Sequence, residues 1–230
     1  HQIIKMLHHI ESKSAEKNYF YGLIYNPSCV SAYRNTTDED AEEAALLAAT
    51  ELLFSEEDLL SKNALKDGRI LFNIPLLMWA AKITIDDRFT ELAQKICTEA
   101  TKVISEVTEN PEQYGDASQS EIAWRIYGLA IAAKYFPVDE HLVLFRYLTE
   151  RYFSLAESGE FTDAASAAVV SCGLQEIVLH LRASDGIEFA NEIDFLTHKA
   201  LVLLKNLVYD FAVQSPKTSN GLLFTILDDG

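Results

Sequence analysis

Glycine and proline are scarce in this chain: nine and five among 230 residues. An all-β fold needs a turn about every 8–12 residues, so that class is disfavoured. Basic residues are also few, with 19 Lys and Arg against 35 Asp and Glu, for a net charge of −16 and a pI near 4.7. Nucleic-acid binding needs clustered cations that release counterions, and no basic run exists. An anionic membrane surface is excluded on the same ground. Long apolar runs are missing too. The most apolar stretch, Ala164 to Leu181, contains Ser166, Gln175, Glu176 and His180, and so predicts a core helix and not a membrane span. No secretory signal pattern opens the chain. The three cysteines, Cys29, Cys97 and Cys172, are scattered and odd in number. They are expected to be buried thiols in a reducing, cytoplasmic setting. Dinucleotide, P-loop and serine-hydrolase motifs are all lacking, so no cofactor is expected. His1, His8 and His9 lack a third ligand at helical spacing, and no metal is expected.

What is present is helix. Hydrophobic residues make up 49% of the chain, too many for disorder. Four acids sit in short turns between helical patterns: Asp38, Asp86, Asp139 and Asp185. They recur about every 50 residues, the signature of stacked helical hairpins. Each turn offers caps for the following helix: Thr37 or Asp38, Asp86, Asp139 or Glu140, and Ser184 or Asp185. In "NIPLL", Asn73 is expected to cap a helix, with Pro75 in its first turn. Apolar periodicity predicts helices near 1–17, 26–35, 39–54, 73–84, 87–107, 119–136, 139–157, 163–183 and 186–212. Residues 108–118 are left as the longest central loop. Phe89, Leu92, Ala93, Ile96, Ala100, Val103 and Ile104 mark one buried face. Leu142, Phe145, Leu148, Tyr152 and Phe153 mark another. Small-residue helices such as "SAAVVSCGL" and "GLAIAAKY" are suited to close packing on the inner side.

Four segments together resemble one family. "NIPLLMWAAKITIDDRFTELAQK" is similar to a helix N-[IL]-P-L-L-[FY]-W-A, a T-G-D turn and the helix after it. "AWRIYGLAIAAKYF" resembles A-W-G-L-Y-G-F-A-L-A-Y-R-Y. "TDAASAAVVSCGLQEI" resembles R-D-S-S-A-A-A-I-A-A-S-G-L-L-E-L. "YGLIYNPSCVSAYRNTTDEDAEEAALLAATELL" resembles the segment that opens on H-D-x-G-F-x-Y. These are segments of the unsaturated glucuronyl hydrolases, glycoside hydrolase family 88, and their order is kept. The resemblance implies an all-α fold, an (α/α)6 toroid of helical hairpins, here one domain over residues 1–230. Six repeats of this length would need about 300 residues, so an incomplete or trimmed ring is expected. It also implies chemistry on a terminal 4,5-unsaturated uronic acid, whose vinyl ether is hydrated by aspartates without a metal.

The departures fall on the chemistry. The family's first aspartate corresponds to Phe20 and its second, the general acid/base, to Arg69. The arginine that would hold the uronate corresponds to Ser120, and the loop "TENPEQYG" lacks the family's histidine. Arginine does not release its proton at useful pH. Loss of a general acid costs about 10²–10⁴-fold in rate. No catalytic residue is therefore expected. Trp124, Tyr25 and Asp163 remain as ligand-binding candidates: two aromatic platforms and one acid that also suits a helix cap. The expected function is a catalytically degenerate homologue that binds a protein partner or a uronate-containing glycan. Two alternatives stand: an active hydrolase with relocated acids (Asp116, Asp163 or Glu121), and an assembly subunit, for which oligomerisation would be natural.

Overall fold

A computed structural model describes residues 39–155, 164–185 and 189–206. Every regular element among them is helical. The chain divides into two compact units, residues 1–114 and 115–230.

In the first unit, α1 (Glu39–Phe54) is followed by two single turns, α2 (Glu56–Leu59) and α3 (Lys62–Leu65). A 3₁₀ helix, Gly68–Phe72, then runs straight into α4 (Asn73–Thr84). The amphipathic α5 (Asp87–Glu109) and the short α6 (Pro111–Tyr114) complete the unit. α4 is buried on nearly every side, through Ile74, Pro75, Leu76, Leu77, Trp79 and Ala80. It packs on α5, whose seven predicted core positions are all buried. Each fully buried Leu or Ile there contributes roughly 1.5–3 kcal/mol. As predicted, Asp86 starts α5: its carboxylate accepts from the Arg88 backbone N–H at 3.1 Å.

Two expectations fail in this unit. The stretch 55–72, where no helix is predicted, is not loop: four-residue helices barely exceed one 3.6-residue period and cannot repeat it, so pattern reading passes over them. Their signals are caps, with Ser61 accepting from Ala64 and Asp67 from Arg69. Asn73 does not cap α4. The preceding residue, Phe72, is already helical, so no free amide needs an acceptor. The Asn73 amide instead donates to the Ile70 carbonyl at 3.1 Å.

The second unit contains α7 (Gln119–Tyr135), α8 (Asp139–Leu155), α9 (Ala164–Asp185) and α10 (Ala190–Asn206). α7 packs on both α8 and α9, and α9 also packs on α10. The small residues allow this. A Cβ at Gly173 would stand 3.0 Å from the Tyr127 Cα, so α9 approaches α7 backbone-close only because residue 173 has no side chain. On α8 the buried seam is His141, Leu144, Phe145, Leu148, Thr149, Tyr152 and Phe153; Leu142 is only half-buried. α8 and α10 also meet through cations on rings: Arg146 lies 5.3 Å from the Phe195 centroid and Lys199 4.3 Å from that of Phe153.

Ser184 or Asp185 is expected to start the last helix, but both fall within α9, which runs to Asp185. The Ser184 hydroxyl donates back to the His180 carbonyl at 3.1 Å. The expectation of three buried cysteines also fails in part. Cys97 is buried, but Cys172 is exposed on α9. Cys29 lies outside the described residues, as do the predicted helices 1–17 and 26–35.

Candidate functional site

The Asp–Gly–Arg turn that opens the 3₁₀ helix positions Arg69, the residue singled out by the motif comparison. Asp67 is extended and its Oδ1 accepts from the Arg69 backbone N–H at 3.0 Å, the turn that Asp favours two residues ahead. The same carboxylate takes the Arg69 guanidinium on both oxygens: Nε at 3.1 and 3.0 Å, and a terminal nitrogen at 2.7 Å. Arg69 is thus locked in a planar, charge-assisted fork. This pairing is absent from the sequence expectations, because the alignment of motifs names the residue at a position and not its partner. The "DGR" triplet was the available signal. Two buried polar atoms flank the fork along the chain: Asn73 Oδ1 and Trp79 Nε1, neither with a protein partner.

The candidates of the second unit are also accounted for. Ser118 and Glu121 form a reciprocal capping box at the start of α7, with the Ser118 N–H and hydroxyl both donating to the Glu121 carboxylate at 2.8 Å. Asp116 is exposed and accepts from Arg151 at 2.9 Å. Two of the three carboxylates expected as relocated acids, Asp116 and Glu121, thus have structural partners. Trp124 is half-buried on α7, two positions past the fully buried Ile122. Ser120, at the family's arginine position, is exposed in the first turn of α7. Phe20, Tyr25 and Asp163 lie outside the described residues.

Titration behaviour is shifted at a few sites. His141, in the first turn of α8, is buried, which pushes its pKa below the ordinary value; a backbone hydrogen bond with Phe136 and the nearby Glu140 oppose that shift. Burial raises the Cys97 thiol to about 11, so it stays protonated and unreactive. Among the described residues no group of three His, Cys, Asp or Glu could hold a metal ion. No helix among them is long and apolar enough to cross a membrane.

Fold and geometry together define an all-α protein of the helical-hairpin class with an Asp67–Arg69 fork ahead of its buried helix α4. No family model matches the chain. It is 22% identical over 256 residues to an unsaturated chondroitin disaccharide hydrolase of Streptococcus pneumoniae (strain ATCC BAA-255 / R6), and 24% identical over 252 residues to its counterpart in Streptococcus pyogenes serotype M1. These alignments cover 91% and 88% of this chain but only 63% and 61% of the relatives' lengths. A crystal structure of a variant unsaturated glucuronyl hydrolase from Streptococcus agalactiae superimposes with a TM-score of 0.63 at 20% identity, over 92% of this chain and 60% of that one. Another variant, complexed with dGlcA-GalNAc6S, gives 0.61 at 19% identity over 91% and 61%. The resemblance drawn from the motifs therefore holds. The chain is a low-identity relative of the unsaturated glucuronyl hydrolases, and its fold is of their α/α-toroid type.

Proposed function

We propose that this protein is a catalytically degenerate homologue of the unsaturated glucuronyl hydrolases that binds without turnover. The observation that carries the reading is the Arg69 fork. Hydration of a vinyl ether begins with proton delivery to carbon, which needs a carboxylic acid within reach. Arg69 stands at that acid's position, and a guanidinium cannot supply the proton. The adjacent carboxylate, Asp67, is engaged by three donors of Arg69: its backbone N–H, Nε and one terminal nitrogen. Both oxygens of that carboxylate are thus occupied by Arg69. Asp116 and Glu121 are held by Arg151 and Ser118, which weighs against the relocated-acid alternative.

A glycan ligand would stack on Trp124 and Tyr25, with Asp163 accepting from its hydroxyls. The ligand class suggested by the relatives is a uronate-containing disaccharide. We treat residues 1–230 as one domain. Incubation with an unsaturated chondroitin disaccharide, followed by the ultraviolet absorbance of its double bond, tests the reading. The absorbance is expected to persist, while calorimetric titration with the same disaccharide detects heat of binding that Trp124→Ala abolishes. Enzyme-dependent loss of the absorbance would overturn the degenerate reading.

A further inference from the structure

A groove of about 480 Å³ opens in the first unit, beside the C-terminal half of α1 and the N-terminal half of α5. Its floor is apolar, formed by Leu46, Leu53, Phe89 and Leu92. Its rim carries two ion pairs, Lys95–Glu56 at 2.8 Å and Arg88–Asp86 at 2.6 Å. Phe54 lines it and is 89% exposed, which is unusual for a phenylalanine. Ile85, between the lining residues Thr84 and Asp86, is 90% exposed and held at a positive φ of 57°. Large apolar side chains presented at the mouth of a groove mark an interaction surface. Backbone strain at the same place has the same implication, because strained residues collect at ligand clamps.

Charge decides the occupant. Residues 35–61 contain no Lys or Arg. Glu51, Glu57 and Asp58 are exposed on α1 and α2, and Glu91 is exposed on the opposite wall. The two cations of the rim are each already neutralised by a rim carboxylate. The surface around the apolar floor is therefore net negative. We propose that this groove docks a basic amphipathic helix of a partner protein, with apolar side chains on Phe54, Leu53 and Leu92 and Lys or Arg against Glu57, Asp58 and Glu91. This is helix-in-groove recognition with complementary charge. It holds whether or not the uronate site is inert.

The probe is a synthetic Lys/Leu peptide of about four helical turns with one apolar face. Its controls are a scrambled isomer of the same composition and a Glu/Leu version. Fluorescence anisotropy on the full chain is expected to show binding of the amphipathic Lys/Leu peptide alone, weakened at high salt. Phe54→Ser is expected to reduce affinity about tenfold, with an unchanged circular dichroism spectrum because the ring packs on little. Glu57→Lys together with Asp58→Lys is expected to do the same by charge, through a second, independent set of surface positions. The proposal is overturned if the scrambled isomer binds as well, which would be bulk attraction to an acidic protein. Equal binding of the Glu/Leu peptide, or indifference to all these substitutions, overturns it too. Concentration-dependent self-association that Phe54→Ser abolishes would overturn it in favour of a second copy of this chain.

Discussion

Ile85 ends α4 in the left-handed conformation, with its N–H on the Ala81 carbonyl. That position favours glycine, because a Cβ there crowds the backbone, and β-branching worsens the crowding. The family's T-G-D turn has glycine in the same place. The side chain is almost wholly exposed, so little packing is lost when it is removed. Ile85→Gly is expected to stabilise the protein by about 0.5–1 kcal/mol, set by the relief of strain less the added freedom of the unfolded chain. For a chain of this size that is a rise of about 2–4 °C in Tm per kcal/mol, read by thermal melts. A lower Tm would show that Ile85 makes contacts worth more than the strain. His141 gives the second residue-scale expectation. Its folded pKa is depressed by burial, so below about 6.5 the unfolded chain binds the proton more readily than the folded one. Its stabilising contribution is complete above the unfolded pKa and is lost as pH falls through the window down to the folded pKa. Urea melts across that window should show stability rising with pH, by at most about 1.4 kcal/mol per unit from this group. His141→Gln should flatten that part of the profile. An unchanged slope would refute the assignment.

Elements were legible where the hydrophobic period had room to repeat. Within the described residues, α4 begins and ends at the expected residues, α1 ends and α8 begins where expected, and α5, α7 and α9 end one or two residues away from their expected ends. Residues 55–72 were not legible, since so short a turn cannot repeat a hydrophobic period and leaves only local signals, such as the Ser61 cap with buried Leu65 and the Asp67 cap before Ile70, Leu71 and Phe72. Asn73 misled because Asn before Pro looks like a helix start, whereas a 3₁₀ turn had already begun the helix upstream. The small-residue reading of "SAAVVSCGL" was sound, and Gly173 states why. Its missing Cβ would meet the Tyr127 Cα at 3.0 Å and N at 3.2 Å, atoms of a helix backbone that cannot swing aside. Gly173→Ala should therefore force α9 off α7 and cost about 1–3 kcal/mol, despite alanine's better helix propensity. Equilibrium unfolding of the variant measures this. A stabilised variant would mean the two helices are further apart than described.

At the scale of the whole molecule, the repeat of acidic turns and the order of the four motifs made the fold class legible, and the structural likeness agrees with it. The candidate site was legible only in part. Arg69 could be singled out from its place before Asn73, but its fork with Asp67 arises from backbone geometry that motif spacing does not encode. The single-domain reading leads to a last expectation. Each compact unit, divided near the exposed, positive-φ Gly115, has roughly the size of an ordinary small domain and its own buried core. Size alone would thus permit two independent foldings. Hairpin repeats behave otherwise when each hairpin needs a neighbour to cover its apolar face, since unfolding one then exposes the next. As one domain, the protein should unfold in a single calorimetric transition, with van't Hoff and calorimetric enthalpies equal. Gly173→Ala, in the second unit, and Leu92→Ala, in the first, should each lower that one Tm. Leu92→Ala should cost about 2–5 kcal/mol, as buried leucines do. Two resolved transitions, each moved by only one of the substitutions, would instead establish the halves as separate domains.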